Sequence, residues 1–170
     1  MPRRLLLVPA IAIAALGALT GCSSSGSSPS ASTPPISPSQ LTATAYRLQL
    51  HGVAVQQNQA QHDIQAALHA KTVAQLRAAL STFATDESSA ASRLEGLVPP
   101  ADATGANAEL AKAFNDNAAA IQSLVAELAH AKSVKQAMKT IQNDTAAQRV
   151  GAEIDTALKK LRQLGYTHGS

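Results

Sequence analysis

The stretch VAQLRAALSTFATDESSAASRLEGL, residues 73–97, decides the fold. It contains no proline, and Ala, Leu, Gln, Arg and Glu favour helix. Val73, Leu76, Leu80, Phe83, Glu87, Ala90, Leu94 and Leu97 recur alternately three and four residues apart. That spacing is a heptad seam, which makes one helix face apolar and requires a partner to cover it. One member of the seam, Glu87, is polar. The segment opens with Thr72-Val73-Ala74-Gln75, a capping box in which the threonine hydroxyl and the glutamine amide satisfy each other's backbone donors. It closes before Val98-Pro99-Pro100, which cannot continue a helix.

The same reading extends in both directions. Asn107, Leu110, Phe114, Asn117, Ile121, Leu124, Leu128 and Ala131 form a second seam with the same spacing. A looser stripe runs through Tyr46, Leu50, Val53, Ala60, Ile64 and Leu68. Met138 and Ile141 precede a polar middle, followed by Ile154, Leu158 and Leu161. Ser37-Pro38-Ser39-Gln40 and Ser133-Val134-Lys135-Gln136 offer two more capping boxes, and Asp102 or Thr104 can cap the third helix. Four helices are predicted, near residues 38–69, 73–97, 103–130 and 134–164. Their short connections favour antiparallel neighbours. The expected fold is all-α: an antiparallel up-down-up-down four-helix bundle in one domain, residues 38–170.

An internal echo supports the placement of the turns. Residues 69–75 (HAKTVAQ) and 130–136 (HAKSVKQ) agree at five of seven positions. Either a helical hairpin has been duplicated, or two turns have converged on a basic helix end and a hydroxyl cap.

The N-terminus has a different character. Arg3 and Arg4 precede an apolar run over residues 5–20, broken by Pro9 and Gly17. The run is short of the roughly 20 residues that span a bilayer comfortably, and its order is that of a secretory signal. It ends in Leu19-Thr20-Gly21-Cys22, which contains the chain's only cysteine. This tetrapeptide in this setting resembles the lipobox of bacterial lipoproteins. The resemblance covers the leader alone and implies a signal peptide over residues 1–21, cleavage between Gly21 and Cys22 by signal peptidase II, and a diacylglyceryl thioether on Cys22. Two acyl chains make a stable anchor where one is marginal. Residues 22–37 then comprise the lipidated cysteine and a tether, SSSGSSPSASTPPIS, too poor in apolar residues to fold. Fully extended, its fifteen Ser/Pro-rich residues reach ~50 Å. The body is similar in architecture to the small, alanine-rich helical lipoproteins of high-GC Gram-positive bacteria. The implied location is the extracytoplasmic face of the cell membrane.

Chemistry-bearing motifs are scarce. There is no HExxH, no pair of ExxH motifs, no CxxCH, no nucleophile elbow and no Gly-rich phosphate loop. No catalytic residues and no cofactor are expected. Among the five histidines, His69 and His130 fall at corresponding helix ends and His62 lies one heptad before His69. These three are the candidate metal ligands; the alternative is that His69 and His130 simply interact with the helix dipole. Haem would need two axial ligands, for which Met138 and a histidine are the only suggestion. Glu87 and Asn117 should lie level at mid-bundle with Asp144 or Gln148, and with Gln57 from the first helix. Such a layer either binds a small polar ligand or sets helix register.

The net charge is +3, but Arg3 and Arg4 leave with the leader, so 12 of the 14 basic side chains then face 11 acidic ones. From Lys132 onward seven basic residues oppose three acidic ones, making the last helix a basic strip. It suits anionic lipid, an anionic polymer or a solvated surface. Almost no aromatic residues and an exported location exclude nucleic acid as a sensible partner. Two functional classes follow. The first is a lipid-anchored, non-enzymatic binding or scaffolding module with a cell-envelope protein or anionic polymer as partner. The second is an extracytoplasmic bundle that captures a metal, haem or small ligand.

Overall fold

The structure, a computed structural model, describes residues 39–67 and 69–167. The expected leader, Gly21, Cys22 and the tether lie outside these residues. The described chain is all-helical: α1 (Ala43–Ala67), α2 (Val73–Glu95), α3 (Thr104–Glu127), α4 (Val134–Asn143) and α5 (Thr145–Gln163), with 3-10 turns at Ala101–Ala103 and Leu128–His130. α1 packs on α2, α2 on α3, and α3 on α5. Among the described residues no helix is long and apolar enough to cross a membrane.

The two turns carrying the sequence echo are built alike. Thr72 Oγ1 accepts the Gln75 amide at 3.1 Å, and Gln75 Oε1 accepts the amides of Lys71 and Thr72 at 3.0 and 3.3 Å. Ser133 Oγ accepts the Gln136 amide at 3.2 Å, and Gln136 Oε1 accepts the Lys132 amide at 3.0 Å. Each side chain fills donors that a helix start leaves without partners.

Two expected boundaries and one expected cap are corrected. α1 begins at Ala43 rather than near residue 38, with Thr42 Oγ1 accepting the Ala45 amide at 3.2 Å. Residues 39–42 instead strap the chain to the loop after α2. The Leu41 amide donates to Val98 O at 2.7 Å and Gln40 Nε2 donates to Pro99 O at 3.0 Å. Carbonyls beside the two prolines have no helical donor of their own, and this strap satisfies them. α3 begins without a side-chain cap: Thr104 Oγ1 bonds back to Pro100 O, and Asp102 accepts from the distant Tyr166 hydroxyl.

The third correction concerns the expected continuous helix over 134–164. It breaks at Asp144, which has extended backbone (φ −73, ψ 106). Its Oδ1 accepts the Ala146 amide at 2.8 Å, the geometry of an N-cap on α5. Asn143, Asp144 and Thr145 are all residues whose short polar side chains compete with helical backbone hydrogen bonds.

α5 ends in a Schellman motif. Gly165 adopts φ 77, the Tyr166 amide donates to Leu161 O and the Gly165 amide donates to Arg162 O, both at 2.9 Å. Only glycine takes this conformation without strain. The turn brings Tyr166 back onto the core, where its ring meets Tyr46 edge to face, centroids 5.1 Å apart.

The core is divided in two. A proximal core contains Tyr46, Leu50 and Val53 of α1, Ala90, Ala91 and Leu94 of α2, Ala103 of the first 3-10 turn, Ala106, Leu110, Ala111 and Phe114 of α3, Ala157 and Leu161 of α5, and Tyr166 after it. A distal core contains Leu76, Leu80 and Ala84 of α2, Ile121 and Leu124 of α3, Leu128 of the 3-10 turn after α3, and Ala137 of α4. Between them, on α1, α2 and α3, stand Gln57, Glu87 and Asn117. The break at Asp144 likewise falls between Ile141, which packs on the distal core, and Ile154, which packs on the proximal one.

Candidate functional site

The polar waist between the two cores is the most unusual chemistry in the described residues. Glu87 takes a seam position of α2, so helix periodicity aims it inward, and it is only 2% exposed. Asn117, at the equivalent seam position of α3, donates from Nδ2 to Glu87 Oε2 at 2.9 Å. Gln57 of α1 is 5% exposed and completes the layer. Burial raises the Glu87 pKa to about 7; the amides of Asn117 and Gln57 oppose that rise, and the neighbouring Asp86 carboxylate adds to it. The contact from Gln57 falls short of a formed hydrogen bond, since its buried Nε2 has no partner.

A carboxylate can accept about four hydrogen bonds. One formed bond on a buried carboxyl therefore favours the protonated acid, and burial is the dominant reason. The layer can hold or release a proton near neutrality. It can also fix helix register, because sliding α2 against α3 would separate Glu87 from Asn117 and strand both in apolar surroundings.

Asp144 does not reach the layer through the bonds described: its carboxylate serves the start of α5. The side chain of Gln148 lies outside what is described. His62, His69 and His130 are all exposed. Among the described residues no three His, Cys, Asp or Glu side chains group so as to hold a metal ion. Met138 is half-buried against the distal core.

A second polar constellation lies at the opposite end from the capped turns. Tyr46 is fully buried; its hydroxyl donates to Asn107 Oδ1 at 3.0 Å, and Asn107 Nδ2 donates to Leu94 O at 3.0 Å. Burial, with a smaller contribution from Tyr166, raises the Tyr46 pKa well above its usual value. The Tyr166 hydroxyl donates to Asp102 Oδ1 at 2.8 Å, a bond that raises its own pKa. Arg47 donates from Nε to Gly165 O at 2.9 Å and lies over the Tyr166 ring. This cluster ties α1, α2, α3 and the end of α5 together. Each of these groups has a partner within the cluster, the Tyr166 phenol with the Asp102 carboxylate among them. Sequence reasoning placed Tyr46 and Asn107 on seams but not against each other, and left Tyr166 beyond the last helix. Nearby, a shallow groove of about 450 Å³ is lined by Glu95, Leu97, Pro99, Thr104, Asn107 and Lys112. Its polar rim is already engaged, Asn115 with Glu95 and Lys112 with Asp116.

Compared with known proteins, the chain matches no family model, no curated protein and no solved structure. The class that the described residues define is an all-α protein with a polar waist.

Proposed function

We propose that the chain is a bacterial lipoprotein whose helical domain stands on the extracytoplasmic face of the cell membrane as a non-enzymatic binding or scaffolding module. The observation that carries this reading is the order of Arg3-Arg4, the apolar run 5–20 and Leu19-Thr20-Gly21-Cys22. A thiol is the side chain suited to a stable thioether, and the chain has one cysteine, placed where the lipid would be attached. With Cys22 committed to lipid, no disulfide is available, so packing alone holds the domain.

The fold we assign to that module is an up-down-up-down four-helix bundle, with α4 and α5 jointly forming the fourth member. Its support is the order of ties between helices. From α1 to α2 they join Leu41 to Val98 and Gln49 to Arg93. From α2 to α3 they join Arg77 to Val125, Glu87 to Asn117 and Leu94 to Asn107. From α3 to the last member they join Asp102 to Tyr166 and Glu109 to Lys160. Numbers rise along one helix as they fall along its neighbour in each set. The partners are the membrane, through the diacylglyceryl group, and a cell-envelope protein or anionic polymer along the basic strip of α4 and α5. Two of that strip's cations, Arg149 and Lys160, are engaged with Glu153 and Glu109 at 3.8 and 2.6 Å.

The test is fractionation of the full-length chain expressed in a bacterium with a lipoprotein pathway. Wild type is expected in the membrane fraction and in the detergent phase on partitioning. Cys22→Ser is expected to leave both. A wild-type chain that stays in the aqueous phase, or a Cys22→Ser chain that has lost residues 1–21 and still partitions with lipid, contradicts the anchor.

A further inference from the structure

The two cores are unequal. Among the described residues fourteen fully buried ones make up the proximal core and seven the distal one, whose packing rests more on half-buried apolar residues, nine against four. The proximal half is also laced across helices by Tyr46 with Asn107, Tyr166 with Asp102, Arg47 with Gly165 and Lys160 with Glu109. In the distal half the described cross-helix tie is Arg77 Nε to Val125 O at 3.1 Å. α4 has only ten residues, too few to persist as an isolated helix, and it is separated from α5 by the Asp144 break. The distal half is therefore the part of the domain that opens at least cost.

We propose that the waist is a proton-operated hinge: protonated Glu87 lets the two cores stack as one body, and ionised Glu87 releases the distal half to open toward water. The geometry carries this. The carboxyl lies between the cores, 2% exposed, with Asn117 Nδ2 as its one formed hydrogen bond and an orphaned Gln57 Nε2 in the same layer. A charge there lacks the donors it needs, and opening the distal half supplies them as water. The groups facing it offer only partial relief, because the amides that oppose the rise do not outweigh burial. α1 presents the neutral amide of Gln57, α3 presents the neutral amide of Asn117, and α2 itself adds the repelling Asp86. Asp144, an acid at the α4–α5 junction, accepts the Ala146 amide and is not among the groups that shift Glu87. None of the groups that shift Glu87 is a cation. Its raised pKa, about 7, places the transition near neutrality.

The experiment is hydrogen exchange with mass spectrometry on the full-length chain in detergent, near pH 6 and near pH 8, corrected for the intrinsic rate. With Glu87 at about 7 when closed and its ordinary 4.5 when open, the opening equilibrium of the distal half rises about tenfold over that interval. Protection is expected to fall by that factor in peptides from residues 76–84, 121–128 and 134–143. Peptides from 46–53 and 106–114 are expected to hold theirs. Glu87→Gln and Glu87→Leu should both abolish the distal response. Equal loss in both halves of wild type, or no loss in either, overturns the hinge whatever the variants do. A distal response that survives in a folded Glu87→Gln chain also overturns it.

Discussion

Replacing Glu87 with Gln probes the waist thermodynamically. The amide keeps the shape of the protonated acid and cannot ionise. In the folded chain the Glu87 pKa is raised from 4.5 to about 7, chiefly by burial. Below about pH 4.5 folded and unfolded chains are both protonated, and the stability contributed by the neutral acid is fully present. As pH rises toward 7 the unfolded chain ionises first, so the folded chain holds more protons and stability falls. Above pH 7 both forms are ionised and the loss levels off. At about 1.4 kcal/mol per tenfold change, the whole span is worth about 3 kcal/mol, of which roughly 2 kcal/mol falls between pH 5 and pH 8. The assay is urea unfolding followed by far-ultraviolet circular dichroism at several pH values in that interval, on wild type and Glu87→Gln. Histidines titrate in both chains, so the difference between them isolates Glu87. The difference is expected to move by roughly 2 kcal/mol in favour of Gln as pH rises. Parallel stability curves would show that the carboxyl is not buried as a neutral acid, and the reasoning would fail.

Two further perturbations test the proximal core and the last helix. Tyr46→Phe removes the hydroxyl that donates to Asn107 Oδ1 and leaves a buried acceptor unsatisfied; a loss of about 1–2 kcal/mol in urea unfolding is expected. Gly151 lies within α5 with nothing within 4 Å of an added Cβ. Gly151→Ala is therefore expected to raise stability by about 0.5–1 kcal/mol, visible as a higher melting temperature.

Helix identity was legible because long proline-free stretches of helix formers carried heptad seams, and the capped turns at Thr72 and Ser133 stood out from them. The waist was legible for the same reason: Glu87 and Asn117 interrupt otherwise apolar seams, and Gln57 lies on the inner face of α1. What escaped depends on tertiary partners. The Asp144 break contains neither proline nor glycine, so only the run of capping residues from Asn143 to Thr145 marked it. Its cost is offset by Val150, Ala157 and Leu161, which α5 buries after the break. The start of α1 moved because the Val98 and Pro99 carbonyls claimed donors from Gln40 and Leu41. The tyrosine cluster joins residues more than sixty positions apart, such as Tyr46 and Asn107. No local pattern encodes such a pairing.

The anchor on Cys22 is the central functional claim, and the intact mass of protein extracted from bacterial membranes tests it most directly. The expected species begins at Cys22 and carries a diacylglyceryl group. A mass matching an unmodified chain, either full-length or cut elsewhere, contradicts it.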